Sequence, residues 1–330
     1  MNKKYDVVGI GNALVDVTVH VDEATLGELD LQKGFMHLVS ADGSKRVLEQ
    51  LKGRDTTLAS GGSIANSLSG LSSLGNRTAF IGNLGVDAFA DTFVKDLEAY
   101  GVTPHISSSF GYPTGHAIIF VTPDGERTFV THVGAAALLA PSNISKTLVQ
   151  SAKILYIEGY VLAHDAPREA AFHAATIAKE STVKVAVDMS NISVVQEQGE
   201  HLKRLVDEYA DIVFANRDEA HAYTGKVGRS ALAALGEHVG TAIVTMHDEG
   251  SLLQHAGKVH EIPAVRAKVV NASGAGDMYA AGILHGIVHG LSLDEAGKIA
   301  SYFAAKAVEV DEARLPLGYV QEQFKKEFGS

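Results

Sequence analysis

The stretch from residue 269 to residue 284 constrains this chain more than any other. Two valines and an asparagine are followed by Ala-Ser-Gly-Ala-Gly-Asp, and a run of apolar and small residues begins directly after Asp277. This order predicts a strand end, a tight turn and a helix, with the backbone N–H groups of Gly274, Ala275 and Gly276 at the helix N-terminus. Unpaired N–H groups and the helix dipole attract an anion there, and glycine lets the anion approach the backbone closely.

Asp277 carries a charge that repels an anion bound at this turn, so its presence needs a separate reason. A carboxylate at this position can take the proton of a hydroxyl group that attacks a phosphoryl group held by the N–H groups, which is general-base chemistry. Alternatively, Asp277 is an ordinary N-cap of the helix, a position that aspartate favours. The motif alone leaves both interpretations open.

The size and composition of the chain favour an ordinary α/β protein. Its 330 residues can bury a large core, and 46% hydrophobic residues with 33 glycines and 7 prolines are not typical of a disordered chain. The net charge of −11 argues against nucleic acid or an anionic membrane as the main partner. The chain has no cysteine and no apolar run long enough to span a bilayer. We therefore expect a cytoplasmic protein without disulfides.

Two polar residues follow the first predicted strand, which covers residues 5–10. Two glycines near its end suggest dinucleotide binding, but the third glycine is missing and the β-rich run 17–21 stands where a helix should begin. Asn12 and Asp16 are suited to hold the hydroxyl groups of a ligand. The alternative is that they make turn hydrogen bonds to their own backbone.

A glycine pair, Gly61 and Gly62, opens a predicted helix of small residues that ends at a glycine cap. Small residues allow close packing against a sheet or a ligand. Asn66 on this helix is therefore either a substrate contact or a core amide whose hydrogen bonds are satisfied within the protein. A strand at 78–84 and an amphipathic helix at 87–100 follow.

Residues 105–133 differ from the strand–helix alternation around them. The β-rich runs 116–122 and 128–131 flank Pro-Asp-Gly, which predicts a hairpin and hence a sub-domain beside the main sheet. Arg127 lies just past the turn and is placed to reach a phosphate group. An isolated surface arginine is the plainer alternative.

From residue 140 onward, strands and helices alternate, which predicts βαβ units and a parallel sheet covered by helices on both faces. An antiparallel pair, 251–254 and 259–262, interrupts this pattern before two long helices close the core. The remaining predicted elements are the strands 154–157, 183–187, 212–214 and 242–245 and the helices 166–180, 199–208, 219–224, 229–235, 277–289 and 293–310.

Asn216 and Glu219 lie at the carboxyl end of a predicted strand, where open α/β sheets bind ligands. Their side chains offer the oxygen atoms that Mg²⁺ prefers, and a capping pattern at a helix start explains them equally well. His285 and His289 share a helix face but lack the glutamate that a metalloprotease needs, so we interpret them as surface or packing residues. No P-loop is present either, because Gly225-Lys226 is followed by Val227 and the upstream glycine is absent.

Taken together, these segments resemble the ribokinase-like (PfkB) family of carbohydrate and nucleoside kinases over nearly the whole chain. The resemblance implies an α/β fold in which a three-layer α/β/α domain with a mainly parallel sheet carries a small β-sheet lid. It implies a single domain over residues 1–330, with lid strands drawn from residues 12–45 and 105–133. Its motifs, in the family's order, are 61–66 (the glycine pair), 113–115 with 126–128 (lid strands), 216–219 (Asn-x-x-Glu) and 271–277, which is similar to Asp-Thr-x-Gly-Ala-Gly-Asp.

The resemblance also implies how the chemistry is distributed. Asp277 would take the proton of a substrate hydroxyl, and Arg127 would neutralise phosphate charge as the lid closes. The N–H groups of Gly274, Ala275 and Gly276 would stabilise the charge that develops on the transferred phosphate. Glu219 and Asn216 would position Mg²⁺. The ATP side would be formed by Asn216, Thr245, Gly250, Gly274 and Gly276, and the substrate side by Asn12, Asp16, Gly61, Gly62, Asn66, Tyr160 and Ser273.

The chain departs from the family pattern near these motifs. Asn271 and Ala272 stand where the family usually has Asp and Thr, and His247 stands where it often has Gly near the nucleotide. ATP and Mg²⁺ are the implied cofactors. A monovalent cation is left open, because the replacements at 271 and 272 put in doubt any cation site that those side chains supply.

Residues 11–16 look most like the adenosine-kinase branch, which implies adenosine as the small-molecule substrate, with Asp16 on the ribose hydroxyls and Tyr160 beside the base. A kinase for a free sugar such as ribose or fructose is the alternative, since it needs the same polar pocket without a base-stacking wall. A catalytically silent ligand-binding relative is a third hypothesis, which Asp277 and Glu219 oppose. Monomers and dimers paired through lid strands both occur in the family, and this sequence is compatible with either.

Overall fold

The computed structural model describes residues 3–329 of the chain, and within that range the β-rich runs form fourteen strands in two sheets. Most predicted strands are present with their ends shifted by at most two residues, and the strand at the β-rich run 17–21 begins three residues before it, at Leu14. The strand end expected directly before the turn at 271–277 is wrong, because residues 263–270 form no strand. The strands are β1 (Tyr5–Ile10), β2 (Leu14–His20), β3 (Met36–Leu38), β4 (Thr57–Gly61), β5 (Thr78–Leu84), β6 (Val102–Ser108), β7 (Gly115–Val121), β8 (Arg127–His132), β9 (Ala152–Glu158), β10 (Lys184–Asp188), β11 (Ile212–Asn216), β12 (Thr241–Thr245), β13 (Ser251–His255) and β14 (Lys258–Ile262).

The helices lie mostly between consecutive strands, as the alternation predicts. Within residues 3–329, none of them combines the length and apolar character that crossing a bilayer requires. The helices are α1 (Glu23–Glu28), α2 (Ala41–Gln50), α3 (Ser63–Ser73), α4 (Ala88–Ala99), α5 (Lys146–Gln150), α6 (Asp165–Glu180), α7 (Ile192–Glu197), α8 (Gly199–Tyr209), α9 (Arg217–Thr224), α10 (Gly228–Gly236), α11 (Ala275–His289), α12 (Leu293–Ala307) and α13 (Tyr319–Phe328).

The large sheet has the strand order β14-β13-β12-β11-β10-β9-β1-β5-β6. Neighbouring strands from β12 to β6 run parallel, while β13 and β14 form the predicted antiparallel pair. Val7 of β1 packs in a core with α3, α11 and α12, and Val8 packs in a second core with α6, α8 and α10. Because successive side chains of a strand point to opposite faces, a helical layer covers each side of the sheet. The predicted three-layer α/β/α fold is confirmed.

The small sheet has the strand order β3-β8-β7-β2-β4. The predicted hairpin is β7–β8, and β2 pairs with β7 in parallel and with β4 antiparallel. Ile118 and Phe120 of β7 pack into the core that contains α3 and α11, whereas Ile119 lies on the opposite face with Phe129 of β8. Strand β4, outside the two segments assigned to the lid, belongs to this sheet. Strand β6, which overlaps the second segment, lies at the edge of the large sheet.

Candidate active site

A cavity of about 610 Å³ lies between the small sheet and the N-terminus of α11. Its volume is in the range of pockets that hold small molecules. Strands β2, β4, β7 and β8, the first turns of α3 and α11, and residues 312–317 after α12 all contribute to its wall. The predicted site residues that line it are Asp16, Asn66, Arg127, Tyr160, Ser273, Gly274 and Asp277.

Asp277 is the third residue of α11, and the N-cap of this helix is Gly274, so the N-cap interpretation of Asp277 is wrong. Its half-buried carboxylate faces α3: Ser63 Oγ donates to Oδ1 at 2.6 Å, and Asn66 Nδ2 donates to Oδ2 at 2.9 Å. Burial raises the pKa of Asp277 above its usual range, and the two hydrogen bonds oppose that rise. The carboxylate is therefore held in one orientation in the cavity wall and binds a proton more readily than an exposed aspartate.

The turn before α11 lines the cavity with Ser273 and Gly274 and contains backbone N–H groups that have no backbone carbonyl partner among the described residues. Gly274 has a φ of +78°, and a Cβ atom there would lie 1.8 Å from the Ala313 carbonyl oxygen, so this position requires glycine. The N–H of Ala275 donates to the Ala272 carbonyl across a long 3.4 Å, and no backbone carbonyl within residues 3–329 accepts from the N–H of Gly274 or Gly276. Free N–H groups at a helix N-terminus form an anion-binding arrangement.

Asp16 of β2 enters the same cavity from the small sheet. Gly61 on β4 leaves the space that this side chain occupies, since a Cβ atom at Gly61 would lie 2.2 Å from Asp16 Oδ1. Burial raises the pKa of Asp16 to about 6, the charge of Arg314 opposes the rise, and the charge of Asp277 adds to it. The cavity therefore contains two carboxyl groups with raised pKa values, one from each side.

Arg314 is a buried arginine that no sequence motif indicates. Its guanidinium group pairs with Asp96 of α4 and lies over the ring of Tyr100, 4.7 Å from the centroid. Arg314 thus fixes the segment after α12 against α4. Its positive charge also opposes the burial-driven rise in the pKa values of Asp16 and Asp277. The surrounding sequence, Asp-Glu-Ala-Arg-Leu-Pro, is that of an ordinary polar loop, so only the folded chain identifies this residue.

Arg127 begins β8 with a side chain that is 9% exposed, so the alternative of an isolated surface arginine is wrong. Its Nη2 donates to the Asp311 carboxylate at 2.7 Å and also to the Asp311 backbone carbonyl. His20 of β2 lies 3.5 Å from the same carboxylate. Two strands of the small sheet are therefore joined to the segment after α12 at one point, and the charge of Arg127 is paired there.

Asn216 and Glu219 form the capping box of α9, so the capping geometry that the sequence suggests is present. Glu219 accepts from the backbone N–H of Asn216 at 2.8 Å and from its Nδ2 at 2.7 Å. A capping role alone does not require a buried carboxyl group, yet Glu219 is only 4% exposed. Its pKa is raised by burial and by the charge of Asp188. Both residues lie outside the lining of the cavity.

Thr245 and Gly250 lie near Asn216, at the carboxyl ends of β11 and β12. Thr245 is the register partner of Asn216 on the neighbouring strand, and the carbonyl of Gly250 accepts from the N–H of Met246 at 2.7 Å. The structure thus brings the predicted ATP-side residues 216, 245 and 250 together, and places them outside the cavity that holds Asp277. His247, between them, is exposed and has a φ of +55°.

Acidic side chains follow three neighbouring parallel strands of the large sheet. Glu158 ends β9, Asp188 ends β10, and Glu219 lies three residues beyond the end of β11. Burial is the main cause of the raised pKa of each carboxyl, and the charge of Asp277 adds to the shift at Glu158 and Asp188. The described residues contain no cluster of three or more side chains that would hold a metal alone. Carboxylate oxygens are ligands that Mg²⁺ accepts beside water and phosphate oxygens.

Glu158 also positions two parts of the predicted substrate side. The backbone N–H of Asn12 donates to its Oε1 at 2.7 Å, and the N–H of Ile64 donates to its Oε2 at 3.1 Å. Asn12 is buried and Gly62 is half-buried, and neither is in the lining of the cavity. A polar residue at the end of an apolar strand is the signal that indicated Asn12. Glu158 has the same position at the end of β9, so the sequence pattern could have predicted it as well.

A sequence model of the pfkB carbohydrate kinase family matches residues 37–317. The chain belongs to the pfkB family of carbohydrate kinases. It is accordingly a phosphotransferase with an alcohol group as acceptor, acting on a small molecule.

Proteins similar to this pfkB kinase differ in the substrates that their names give. The adenosine kinase of Sinorhizobium meliloti has a TM-score of 0.89 at 34% identity, covering 98% of this chain and 99% of that one. The probable sugar kinase protein of Rhizobium etli CFN 42 has a TM-score of 0.90 at 30% identity, covering 99% of both chains. The 5-dehydro-2-deoxygluconokinase of Listeria monocytogenes serotype 4b (strain CLIP80459) is 30% identical over 261 residues, 75% of this chain and 80% of the relative.

Proposed function

We propose that this kinase transfers the γ-phosphoryl group of ATP to the hydroxymethyl group of a nucleoside, with adenosine converted to AMP. The observation that carries the proposal is the composition of the cavity wall, which combines Asp16 and Asp277 with a set of apolar and aromatic side chains. The carboxylates suit the hydroxyl groups of a sugar, and the apolar wall suits a base. The apolar part consists of Ile119, Phe129, Tyr160, Pro316 and Leu317.

The charges around the cavity favour a neutral substrate. Among the described residues its lining contains four carboxylates, from Asp16, Asp96, Asp277 and Glu312, and two guanidinium groups. Both guanidinium groups are engaged by aspartates, Arg127 by Asp311 and Arg314 by Asp96. A sugar acid would bring a further negative charge and would have to compete with the γ-phosphate of ATP for Arg127, because Arg314 is held by Asp96. A nucleoside brings none.

In the proposed reaction the substrate oxygen attacks the γ-phosphorus while its proton passes to Asp277. The bond from the γ-phosphorus to the oxygen that bridges the β- and γ-phosphates breaks, and ADP leaves. The hydrogen bonds from Ser63 and Asn66 hold the carboxylate in place, and its raised pKa makes it a stronger base than an exposed aspartate. The N–H groups of Gly274 and Gly276, which donate to no backbone carbonyl of the described residues, would receive the negative charge of the transferred group.

Arg127 and the acidic row are proposed to act on the phosphates. Arg127 would exchange its contact with Asp311 for the γ-phosphate when ATP and substrate are bound, which couples the small sheet to the reaction. Glu219 and Asp188 would hold Mg²⁺ together with the phosphate oxygens of ATP. When bound, this ion supplies positive charge next to the phosphates.

Phosphorylation of a free, neutral sugar is the second candidate, and the similarity to the R. etli protein favours it. It needs the same base, the same turn and the same polar contacts at Asp16 and Asn66. It gives a smaller role to the apolar side chains of the lining, because a free sugar offers Phe129 or Leu317 only its C–H groups, whereas a nucleoside offers a whole base. The two candidates therefore differ in what the apolar wall does.

The test is a substrate panel with Mg-ATP, in which ADP formation is measured for adenosine, inosine, ribose, fructose and 5-dehydro-2-deoxygluconate. We expect kcat/KM for adenosine to exceed that for ribose by about 100-fold or more, because a buried base adds contact area worth several methylene groups. Turnover with a free sugar and none with adenosine would retain the mechanism and refute the nucleoside assignment.

A matched pair of variants tests the apolar wall itself. Phe129→Ala should raise the KM for adenosine and leave that for ribose nearly unchanged, because only the base contacts Phe129. Phe110, which is 82% exposed and outside the cavity lining, provides the control: Phe110→Ala should change neither. Equal effects of Phe129→Ala on both substrates would show that the wall has a structural role only.

A further inference from the structure

Asn271 joins the turn before α11 to the segment after α12. The residue is 4% exposed, and both ends of its side chain are engaged. Its Nδ2 donates to the Asp311 carbonyl at 2.9 Å, and its Oδ1 accepts from the N–H of Ser273 at 2.9 Å. The N–H groups of Val270 and Asn271 both donate to the Val308 carbonyl, at 2.7 and 3.2 Å. The turn thus takes its position from the segment after α12 through Asn271.

These hydrogen bonds fix the orientation of the Asn271 amide. Rotating it by half a turn would set Nδ2 against the N–H of Ser273 and Oδ1 against the carbonyl of Asp311, so both contacts would become repulsive. The Asp311 carbonyl also accepts from Nη2 of Arg127. A carbonyl oxygen has two lone pairs, and here each has a donor.

An aspartate at position 271, which the family pattern leads one to expect, would create a different site. Its carboxylate would face the Asp311 carbonyl, acceptor against acceptor, where Asn271 now donates. Two buried acceptors in contact are unfavourable unless a cation or a proton lies between them. Carbonyl oxygens are ligands that K⁺ accepts.

The monovalent cation that the sequence leaves open does not fit the residues present here. The Nδ2 group of Asn271 occupies the position next to the Asp311 carbonyl, and Ala272 has no side-chain oxygen to add as a ligand. An N–H donor, which repels a cation, stands where an oxygen ligand would be needed.

We propose that Asn271 replaces a monovalent cation in this kinase, so that phosphoryl transfer is independent of K⁺. Asn271 is a positioning residue in this account. Its neutral amide holds the N–H of Ser273 and the carbonyl of Asp311 in the geometry that leaves the N–H groups of Gly274 and Gly276 free for phosphate. The inference rests on the function proposed for that turn.

The first test uses the wild-type chain in KCl, NaCl and tetramethylammonium chloride at one ionic strength. With Mg-ATP and the best substrate of the panel, we expect kcat and the KM for ATP to differ by less than about twofold between the salts. The Tm of the protein without substrate should also be the same in all three. A K⁺-specific rise in kcat or in Tm overturns the proposal, and the Tm comparison decides this even if the panel yields no substrate.

The second test introduces the cation requirement with Asn271→Asp. In tetramethylammonium chloride we expect a lower Tm and a kcat reduced by more than about tenfold, and we expect K⁺ to restore both. A protein that folds only in K⁺ would support the proposal equally. If K⁺ restores neither Tm nor kcat, the amide is not standing in for a cation and the proposal is overturned.

Asn83 provides a matched control for this substitution. It is also a buried asparagine, and its Nδ2 donates to the Ala135 carbonyl at 2.6 Å, away from the phosphate-binding turn. We expect Asn83→Asp to lower the Tm without rescue by K⁺. Equal rescue of both variants would reflect a general salt effect and would overturn the assignment of a specific role to Asn271.

Discussion

Asn66 Nδ2 donates to Asp277 Oδ2 at 2.9 Å and thereby links the helix that follows the glycine pair to the turn that precedes α11. The other end of the amide, Oδ1, is buried and has no partner among the described residues. A substrate hydroxyl that donates to this oxygen would lie next to the carboxylate proposed to take its proton. One side chain would then fix both the base and the group on which it acts.

The pH dependence of kcat/KM should reflect these raised pKa values. Burial raises the pKa of Asp16 to about 6 and that of Asp277 above its ordinary 3.8, so activity that needs both ionised is lost as the pH falls through about 6. Asn66→Ala removes a hydrogen bond that stabilises ionised Asp277, so the pKa of Asp277 should rise and the acidic limb should become steeper or move to higher pH. A variant profile that coincides with the wild-type profile would contradict this relationship.

Arg127 should matter for the rate and not only for the attachment of the small sheet. Arg127→Ala is expected to lower kcat by about tenfold or more, because a guanidinium group no longer neutralises the transferred phosphate. Arg204→Ala, which removes an exposed arginine that pairs with Glu208 on α8, is the control and should leave kcat unchanged. A normal kcat with a lower Tm for Arg127→Ala would show that Arg127 only attaches the small sheet through its contact with Asp311 and does not act on the phosphate.

Gly274 and Gly276 should differ sharply in their tolerance of a methyl group. Gly274→Ala should lower the free energy of unfolding by about 3 kcal/mol or more, because the positive φ and the Ala313 carbonyl leave no space for Cβ. At Gly276 an added Cβ meets no atom within 4 Å, so Gly276→Ala should remain as stable as the wild type. Urea unfolding followed by circular dichroism measures both values, and equal stabilities would refute the strained turn.

Glu158 should be important for stability. Glu158→Ala leaves the N–H groups of Asn12 and Ile64 without an acceptor and should lower the free energy of unfolding by about 2–5 kcal/mol. Glu158→Gln retains one acceptor oxygen and should lose less. If the alanine and glutamine variants lower the free energy of unfolding by the same amount in urea, the two backbone hydrogen bonds do not explain how Glu158 stabilises the protein.

Much of the fold followed from local pattern. The apolar runs that became β9 to β12, the helices between them and the Pro-Asp-Gly hairpin each have a periodicity or a turn signal that acts over a few residues. Strands β4 and β6 have neither a clear periodicity nor a turn signal. The first is Thr-Leu-Ala-Ser-Gly, and the second carries a proline and a histidine at its centre. Both are strands because neighbouring strands offer hydrogen bonds to them, and such tertiary pairing is not visible in a short window of sequence.

The site residues also divide into those that a local sequence pattern predicts and those that only the packing of the chain brings together. Asp277, Asp16 and Asn66 were predicted because short polar groups stand out at strand ends and beside glycines. Arg314 was not, because its partner Asp96 lies 218 residues away along the chain and the two meet only through packing. The hydrogen bond of Asn271 to Asp311 has the same origin. The sequence showed that Asn271 departs from the family pattern, and only the folded chain shows which carbonyl its amide contacts.

The most direct test of the central claim is the effect of Asp277→Asn on turnover and on substrate binding, measured on the same preparation. The variant retains the shape of the side chain but cannot take a proton. We predict that kcat falls by about 10²–10⁴-fold, while the Kd of adenosine from calorimetry changes by less than about threefold. A kcat near that of the wild type, with adenosine still bound, would show that Asp277 is not the base.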